Sequence, residues 1–440
     1  MKDKVKVRTD SLLFIKSDHI YIPVGFYHFL KITCDELLIP CQIELNYPPL
    51  KVDDSILYSS DLDDQLHPLR EKFLKRAILG VTKGTGGILT APPAFGKTYL
   101  LCTLSQVFPE AKIDIISSRR DVIFTAKKYF QEHGIKVGIV TSGHRKFERI
   151  TLYTINSIHH CPFVADLVIL DEAHELVTDR IFMMLMNYKN SRILALTATP
   201  NTRYDNRHKR LEALAGPLLF WIGYQDTVQS GLNVPIVVFW HEVKEGYVPI
   251  WSNAVSRKRY GLWHNDHFNK KVAEIAKKYF DEKKQVLILV DKKEHAKKLS
   301  EFLPEFVVCY GTGKRSQNLP TISKSKRDEI RTKFEKREIL GVIATKIWST
   351  GVSFNDLEVL IRADCTGSHT ESIQIPGRVS RIAEISNKQF GIVVDFIPTF
   401  DERLRKQALR RRSYYRKYGY YQILPDGQIL KPEIPGLSGT

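Results

Sequence analysis

Short apolar runs that alternate with amphipathic stretches constrain this 440-residue chain more than any other feature. Residues 87–90, 113–117, 137–141, 167–170 and 193–196 are each rich in Ile, Leu and Val. Runs this short, apolar on both faces and separated by helical patterns, are strands of a parallel sheet covered by helices. A second series follows: helix 268–281, strand 286–290, helix 293–302, strand 306–309, helix 326–336, and strands 341–344, 359–361 and 391–395. The fold class is therefore α/β, with two tandem parallel-sheet units. The stretch 233–265 reads as the join between them, its Trp240, Trp251 and Trp263 serving packing.

Residues 1–60 form a small module of their own, in which 12–15, 19–24 and 29–33 read as strands. An acidic, turn-prone stretch with Asp53, Asp54, Asp61, Asp63 and Asp64 closes it. The expected organisation is 1–60 as a small β-containing domain, 61–235 as the first α/β domain, and 236–440 as the second with a basic C-terminal segment.

Composition narrows the partners. Lys and Arg number 66 against 49 Asp and Glu, a net charge of +17, which attracts polyanions. Charge alone does not separate nucleic acid from an anionic membrane or an acidic protein. No apolar run is long enough to cross a bilayer, and the charged start Met1-Lys2-Asp3-Lys4 lacks the apolar core of a signal peptide. The six cysteines form no CxxC pair, so a zinc ribbon is not expected and a reduced, cytoplasmic setting is. His159-His160-Cys161 has no partner cluster that would close a metal shell.

Four strings carry chemistry. The first, Ala91-Pro92-Pro93-Ala94-Phe95-Gly96-Lys97-Thr98, follows a strand-like run and opens a helix beginning at Tyr99, the context of a phosphate-binding loop. Two prolines lack N–H, so the donors must come from Ala94, Phe95, Gly96, Lys97 and Thr98. Lys97 suits the β- and γ-phosphates and the Thr98 hydroxyl suits Mg²⁺. The usual first glycine is Ala91 here, and a chance Gly-Lys-Thr is the competing reading. The second, Asp171-Glu172-Ala173-His174, sits at the carboxyl end of run 167–170. There Asp171 can hold Mg²⁺ and Glu172 can orient and deprotonate a water; an acidic helix start is the alternative. The third, Thr197-Ala198-Thr199-Pro200, ends run 193–196 and offers hydroxyls that link the acidic motif to neighbouring loops. The fourth, Gln374-Ile375-Pro376-Gly377-Arg378-Val379-Ser380-Arg381, holds two arginines three apart, on one face if helical, suited to charge developing on a transferring phosphate.

In this order the four motifs resemble the superfamily 2 helicases with the DEAH form of the acidic motif, over about residues 66–400. The resemblance implies two RecA-like domains with ATP and Mg²⁺ in the cleft between them. It assigns catalysis to Lys97, Asp171, Glu172, Gln374, Arg378 and Arg381, and nucleotide contact to Arg70, the loop 94–99 including Tyr99, and Gly351. It assigns nucleic-acid backbone contact to Ser142 and Gly143, Thr154 and Ser157, and Thr345. Within the family the run 347–357 and the 374–381 motif look like phage branch-migration helicases of the UvsW type, implying action on forked and junction DNA by a monomer.

Two departures stand out. Arg70 occupies the place of an adenine-reading Gln, and a guanidinium cannot accept from the adenine amino group. Ser353 stands where an Asp is common. Three alternatives stay open: a DEAH-type RNA helicase, a DNA-binding protein that uses ATP only as a switch, and a translocase subunit of a restriction system. Further basic positions are Arg119, and Lys314 and Arg315 in a Gly/Ser/Pro-rich loop that is either near a duplex junction or simply solvated. The stretch 403–417 interleaves Arg and Lys with Tyr414 and Tyr415 and is followed by Tyr418, Tyr420 and Tyr421. It suits phosphate contact or packing as a basic helix, and the two are compatible.

Overall fold

A computed structural model describes residues 14–16, 19–45, 47–58, 67–198, 209–311, 322–348, 354–383 and 385–433. The chain divides into two compact units: Met1–Pro92 with Gly96–Ile222, and Gly223–Thr440 with Pro93–Phe95.

The first unit begins with an antiparallel hairpin of β1 (Phe14–Lys16) and β2 (His19–Tyr21), then helix α1 (Tyr27–Glu36). The strand expected at 29–33 is therefore helix. The segment buries none of its residues, and a helix satisfies its backbone groups within the segment itself. Just before it, Gly25 lies so close to the backbone of residues 212–213 that a Cβ there would sit 2.0 Å from the Glu212 carbonyl, and Phe26 packs on the unit's apolar core.

The rest of the unit alternates as expected: α2 (Pro68–Lys83), β3 (Gly86–Thr90), α3 (Lys97–Val107), β4 (Ile113–Ser117), α4 (Arg120–Glu132), β5 (Val137–Thr141), β6 (His144–Lys146), β7 (Ile150–Thr154), β8 (Leu167–Asp171), α5 (Asp179–Leu185), β9 (Arg192–Thr197), α6 (Lys209–Ala215) and β10 (Leu218–Trp221). The sheet order is β10-β3-β9-β8-β4-β7-β5-β6, parallel except for the β5–β6 pair. Strands β3, β4, β5, β7, β8 and β9 are buried along their whole length, which parallel sheets require because helices cover both faces. Gly86, at φ +113°, lets β9 approach to where a Cβ would lie 1.9 Å from the Ile193 carbonyl.

The second unit contains α7 (Tyr224–Gln229), β11 (Ile236–Val243), α8 (Ala254–Lys258), α9 (Asp266–Asp281), β12 (Val286–Val290), α10 (Lys293–Ser300), β13 (Val307–Cys309), α11 (Lys324–Glu335), β14 (Gly341–Thr345), β15 (Val359–Ile361), α12 (His369–Gln374), β16 (Gly391–Pro398), α13 (Glu402–Tyr418), β17 (Tyr421–Ile423) and β18 (Ile429–Leu430). Its eight strands run β13-β14-β12-β15-β16-β11-β17-β18, parallel except for the last pair. The stretch 233–265 is more than a join. Its β11 lies inside the sheet, paired with β16 from Ile236↔Gly391 to Val243↔Pro398. Alternation of apolar and partly exposed residues along β11 hides it among the continuous apolar runs. Trp240 is buried with its indole N–H donating to Gln422 Oε1 at 2.8 Å, and Trp263 is buried too, whereas Trp251 is 71% exposed.

Candidate functional site

Sheet order brings the first three motifs together. Strands β3, β9 and β8 are neighbours, with Thr90 paired to Thr197 and Leu170 to Ala195. The phosphate loop, the Thr197 motif and Asp171 thus leave the same, carboxyl edge of three adjacent strands, where α/β sheets bind ligands. Thr199 and Pro200 lie outside the described residues.

The loop itself is shaped for an anion. Ala94 and Gly96 take left-handed backbone, φ 66° and 91°, and Gly96 caps α3, which has no acidic residue in its first turn and no side-chain cap. Alternating handedness and uncapped helix N–H groups make a concave donor surface for phosphate. Phe95 is buried and anchors the loop. Lys97 and Thr98 begin α3, both half-buried. Arg70, in the first turn of α2, lies against the loop: a Cβ on Gly96 would be 3.2 Å from its Nη2. Its guanidinium sits 5.6 Å from the Tyr99 ring centroid.

Lys97 Nζ donates to Glu172 Oε1 at 3.0 Å. Burial works against the ammonium, and the Glu172 and Asp171 carboxylates outweigh it, holding Lys97 above its ordinary pKa. Burial opposes charge on Glu172 as well, but Lys97 and His174 carry it below the usual carboxylate value. Asp171 goes the other way: burial and then the adjacent Glu172 push it up. Glu172 adopts φ 49°, a strained conformation for a residue with a side chain, of the kind that gathers at functional sites. His174 Nδ1 lies 3.0 Å from Thr197 Oγ1 and 3.6 Å from Glu172 Oε2, and burial keeps its imidazole below the usual pKa. The link from Thr197 to the acidic motif runs through His174.

The residue set fits nucleotide and Mg²⁺. Mg²⁺ keeps water and takes one or two carboxylates plus phosphate oxygens, and the hard oxygens of Thr98 and Asp171 match that demand. Asp171, raised by burial and by the adjacent Glu172 carboxylate, is the group a cation would relieve.

The candidate nucleic-acid residues divide. Ser142 and Gly143 are exposed at the β5–β6 turn. Thr154 and Ser157 are buried, the Thr154 hydroxyl donating to Ser157 Oγ at 3.2 Å, and Thr345 is buried at the end of β14. Arg119 pairs with Glu175 at 3.0 Å, and Ser118 also donates to Glu175. Glu175 is not anticipated by the sequence, because one acid among many has no signal until its partner is known. Lys314, Arg315, Gly351 and Ser353 lie outside the described residues. Cys161, adjacent to the two histidines, is an internal packing residue: its Sγ lies 2.9 Å from the Tyr188 hydroxyl and 3.3 Å from Asp114 Oδ2.

In the second unit Gln374 ends α12 and Arg378 lies in a 3₁₀ turn, Pro376–Ser380. The expectation that Arg378 and Arg381 share a helix face is corrected, since the turn stops at Ser380 and Arg381 is extended (φ −67°, ψ 143°). Backbone bonds to the approach of β11, including Val234 N–H to the Ser380 carbonyl at 2.8 Å, draw it out of helix. Arg381 donates to a neutral acceptor, Asn355 Oδ1 at 2.9 Å, and burial lowers its pKa. Lys346, which sequence reasoning misses, follows Thr345 and bonds both Glu371 oxygens at 3.0 Å.

Two family models match this chain, the type III restriction enzyme res subunit over residues 63–202 and the helicase conserved C-terminal domain over 270–383. The chain is a superfamily 2 helicase. It is 27% identical over 271 residues to a helicase of Sulfolobus islandicus filamentous virus (isolate Iceland/Hveragerdi), a match covering 57% of this chain and 45% of that one. This helicase thus matches less than half of that relative's length. It is 23% identical over 349 residues to the DNA 3'-5' translocase XPB2 of Sulfurisphaera tokodaii, covering 69% and 77%. Its fold matches S. cerevisiae Dbp5 bound to RNA and ADP BeF3 with a TM-score of 0.59 at 14% identity, over 87% of this chain and 95% of that one. The two sheets are therefore tandem RecA-like domains. Among the described residues no helix is long and apolar enough to cross a membrane.

Proposed function

We propose that this helicase hydrolyses ATP with Mg²⁺ to move along DNA and to unwind or branch-migrate forked and junction substrates in replication, recombination or repair. The observation that carries the reading is the Lys97–Glu172 ion pair beside Asp171, facing an uncapped helix N-terminus at the edge of three adjacent strands. In this reading Lys97 leaves Glu172 for the β- and γ-phosphates when nucleotide arrives. Its departure frees Glu172 as the base that orients and deprotonates water. Thr98 and Asp171 would hold Mg²⁺, which would supply charge neutralisation at the phosphates. Arg378 and Arg381 stabilise the charge that develops as the phosphoryl group leaves, with Gln374 beside them. Arg381 is suited to the role because its present acceptor is neutral and easily exchanged.

The likeness to a DNA translocase supports DNA, and the fold match to Dbp5 bound to RNA supports RNA as the second reading. The test compares NTPase stimulation by forked DNA, four-way junction DNA, duplex DNA and RNA of matched length, with a strand-displacement assay on the first two. We expect forked or junction DNA to stimulate most and Lys97→Ala to abolish the stimulated rate. Stimulation by RNA alone would make this an RNA helicase. Hydrolysis without strand displacement would leave an ATP switch, and full activity of Lys97→Ala would remove the site assignment.

A further inference from the structure

The basic stretch 403–417 is sorted by its helix into two sets with different work. Helix α13 buries Leu404, Ala408, Arg411 and Tyr415. Arg411 donates to Asp395 Oδ1 at 2.8 Å and Oδ2 at 3.0 Å, and the Tyr415 hydroxyl to Asp395 Oδ2 at 2.8 Å. Asp401 caps the start through Leu404 N–H at 2.9 Å, and Gly419, at φ 110°, ends it. The helix is thus rigidly seated by an inner face that uses the aromatic residues and one arginine. Its outer face carries six exposed cations, Arg403, Arg405, Lys406, Arg410, Arg416 and Lys417. Lys406 pairs with Glu402 and Arg416 with Glu433, whereas among the described residues no acid pairs with Arg403, Arg405, Arg410 or Lys417.

We propose that this outer face binds the phosphate backbone of a nucleic-acid duplex, as a contact separate from the strand-tracking loops of the motor. The inference rests on the nucleic-acid motor reading above. Three features select the occupant. Arg403, Arg410 and Lys417 are spaced seven apart, so they form a nearly straight row with a cation every ~10 Å. That is about three base steps of one strand at ~3.4 Å each. Cations in a rigid row suit a regular backbone. A single-strand platform would also present aromatic faces for stacking; here Tyr415 and Tyr420 are buried, Tyr414 and Tyr418 are half-buried against the His369 and Tyr224 rings, and the exposed Tyr421 lies beyond the end of the helix. A membrane-surface helix would present an apolar flank, whereas of the two leucines of α13 Leu404 is buried and Leu409 half-buried, so no exposed apolar flank remains.

The test uses the full chain carrying Arg403→Glu, Arg410→Glu and Lys417→Glu together. Duplex DNA affinity is measured across a salt series, beside the maximal NTPase rate at saturating single strand. We expect duplex affinity to fall at least tenfold at low salt. The slope of log affinity against log salt should shrink by about 2–3, at roughly 0.9 per phosphate contact, while the maximal NTPase rate stays unchanged. The corresponding triple Gln variant, which removes charge without reversing it, should change in the same direction by a smaller amount and melt like the native chain. Unchanged duplex affinity and slope in either folded variant would overturn the proposal. So would loss of binding to phosphatidylserine vesicles with duplex binding intact. Failure of the motor reading is seen separately, as absent strand-stimulated hydrolysis in the unmodified chain.

Discussion

Each unit of this helicase buries a cluster of charges, and the two clusters are built on opposite principles. In the second unit Arg362 and Asp364 form a two-point pair at 2.7 and 2.9 Å, and Arg411 forms another with Asp395. Tyr415 joins them, accepting from Arg362 at 3.2 Å and donating to Asp395 at 2.8 Å. None of these side chains is more than 1% exposed. Every charge meets an opposite charge at bidentate distance, the arrangement that lets ions persist without water. In the first unit two carboxylates, Asp171 and Glu172, share one lysine. Glu172 is strained, and Asp171 is pushed towards its protonated form. A satisfied cluster locks a fold. A frustrated one is relieved only by something added, which is why the proposed function puts nucleotide and cation there.

The comparison can be broken by substitution. Glu172→Gln should lower turnover about 10²–10⁴-fold, the usual worth of a positioned base, with little loss of stability, read by steady-state kinetics beside a denaturant melt. A variant that unfolds would place Glu172 with the structural cluster. Arg411→Met should do the reverse. It leaves Asp395 buried without its cation and should cost about 3–5 kcal/mol in urea unfolding; a near-native midpoint would show that the second cluster is not a lock.

The clusters should also answer pH with opposite signs. Paired with Arg362, Asp364 is held at about 2 although burial opposes its charge. Its stabilisation is full above its unfolded pKa and lost as pH falls through about 2, an acid-limb loss of about 2 kcal/mol that Asp364→Asn should remove. Asp171 is raised, so its favourable contribution is present below the unfolded pKa and disappears as pH rises through the folded value. At neutral pH, without nucleotide, Asp171→Asn should therefore raise stability by about 1 kcal/mol, measured by thermal melting. Destabilisation instead would mean that Lys97 fully compensates both carboxylates.

Much of this is legible in the order of residues alone. The continuous apolar runs are the buried parallel strands, and the strings at their ends are the loop at Gly96, the turn at Glu172 and the strand end at Thr197. What composition misjudges is local. Residues 29–33 have strand-like side chains but lie in an unburied helix, and β11 alternates where its neighbours do not. The partners Glu175, Asn355, Glu371 and Asp395 could not be chosen from sequence, because acids and amides are common and carry no mark of what they face.

The sequence by itself determined that there are two parallel α/β units and which strings meet the chemistry. Strand periodicity and loop donors are local properties, set by residues a few positions apart. The tertiary structure alone decided that Thr90, Asp171 and Thr197, far apart in the chain, leave one edge of three adjacent strands, because strand order is a global packing choice. It also decided which cations of α13 lock the core and which face outward, because that depends on where Asp395 lies beneath the helix.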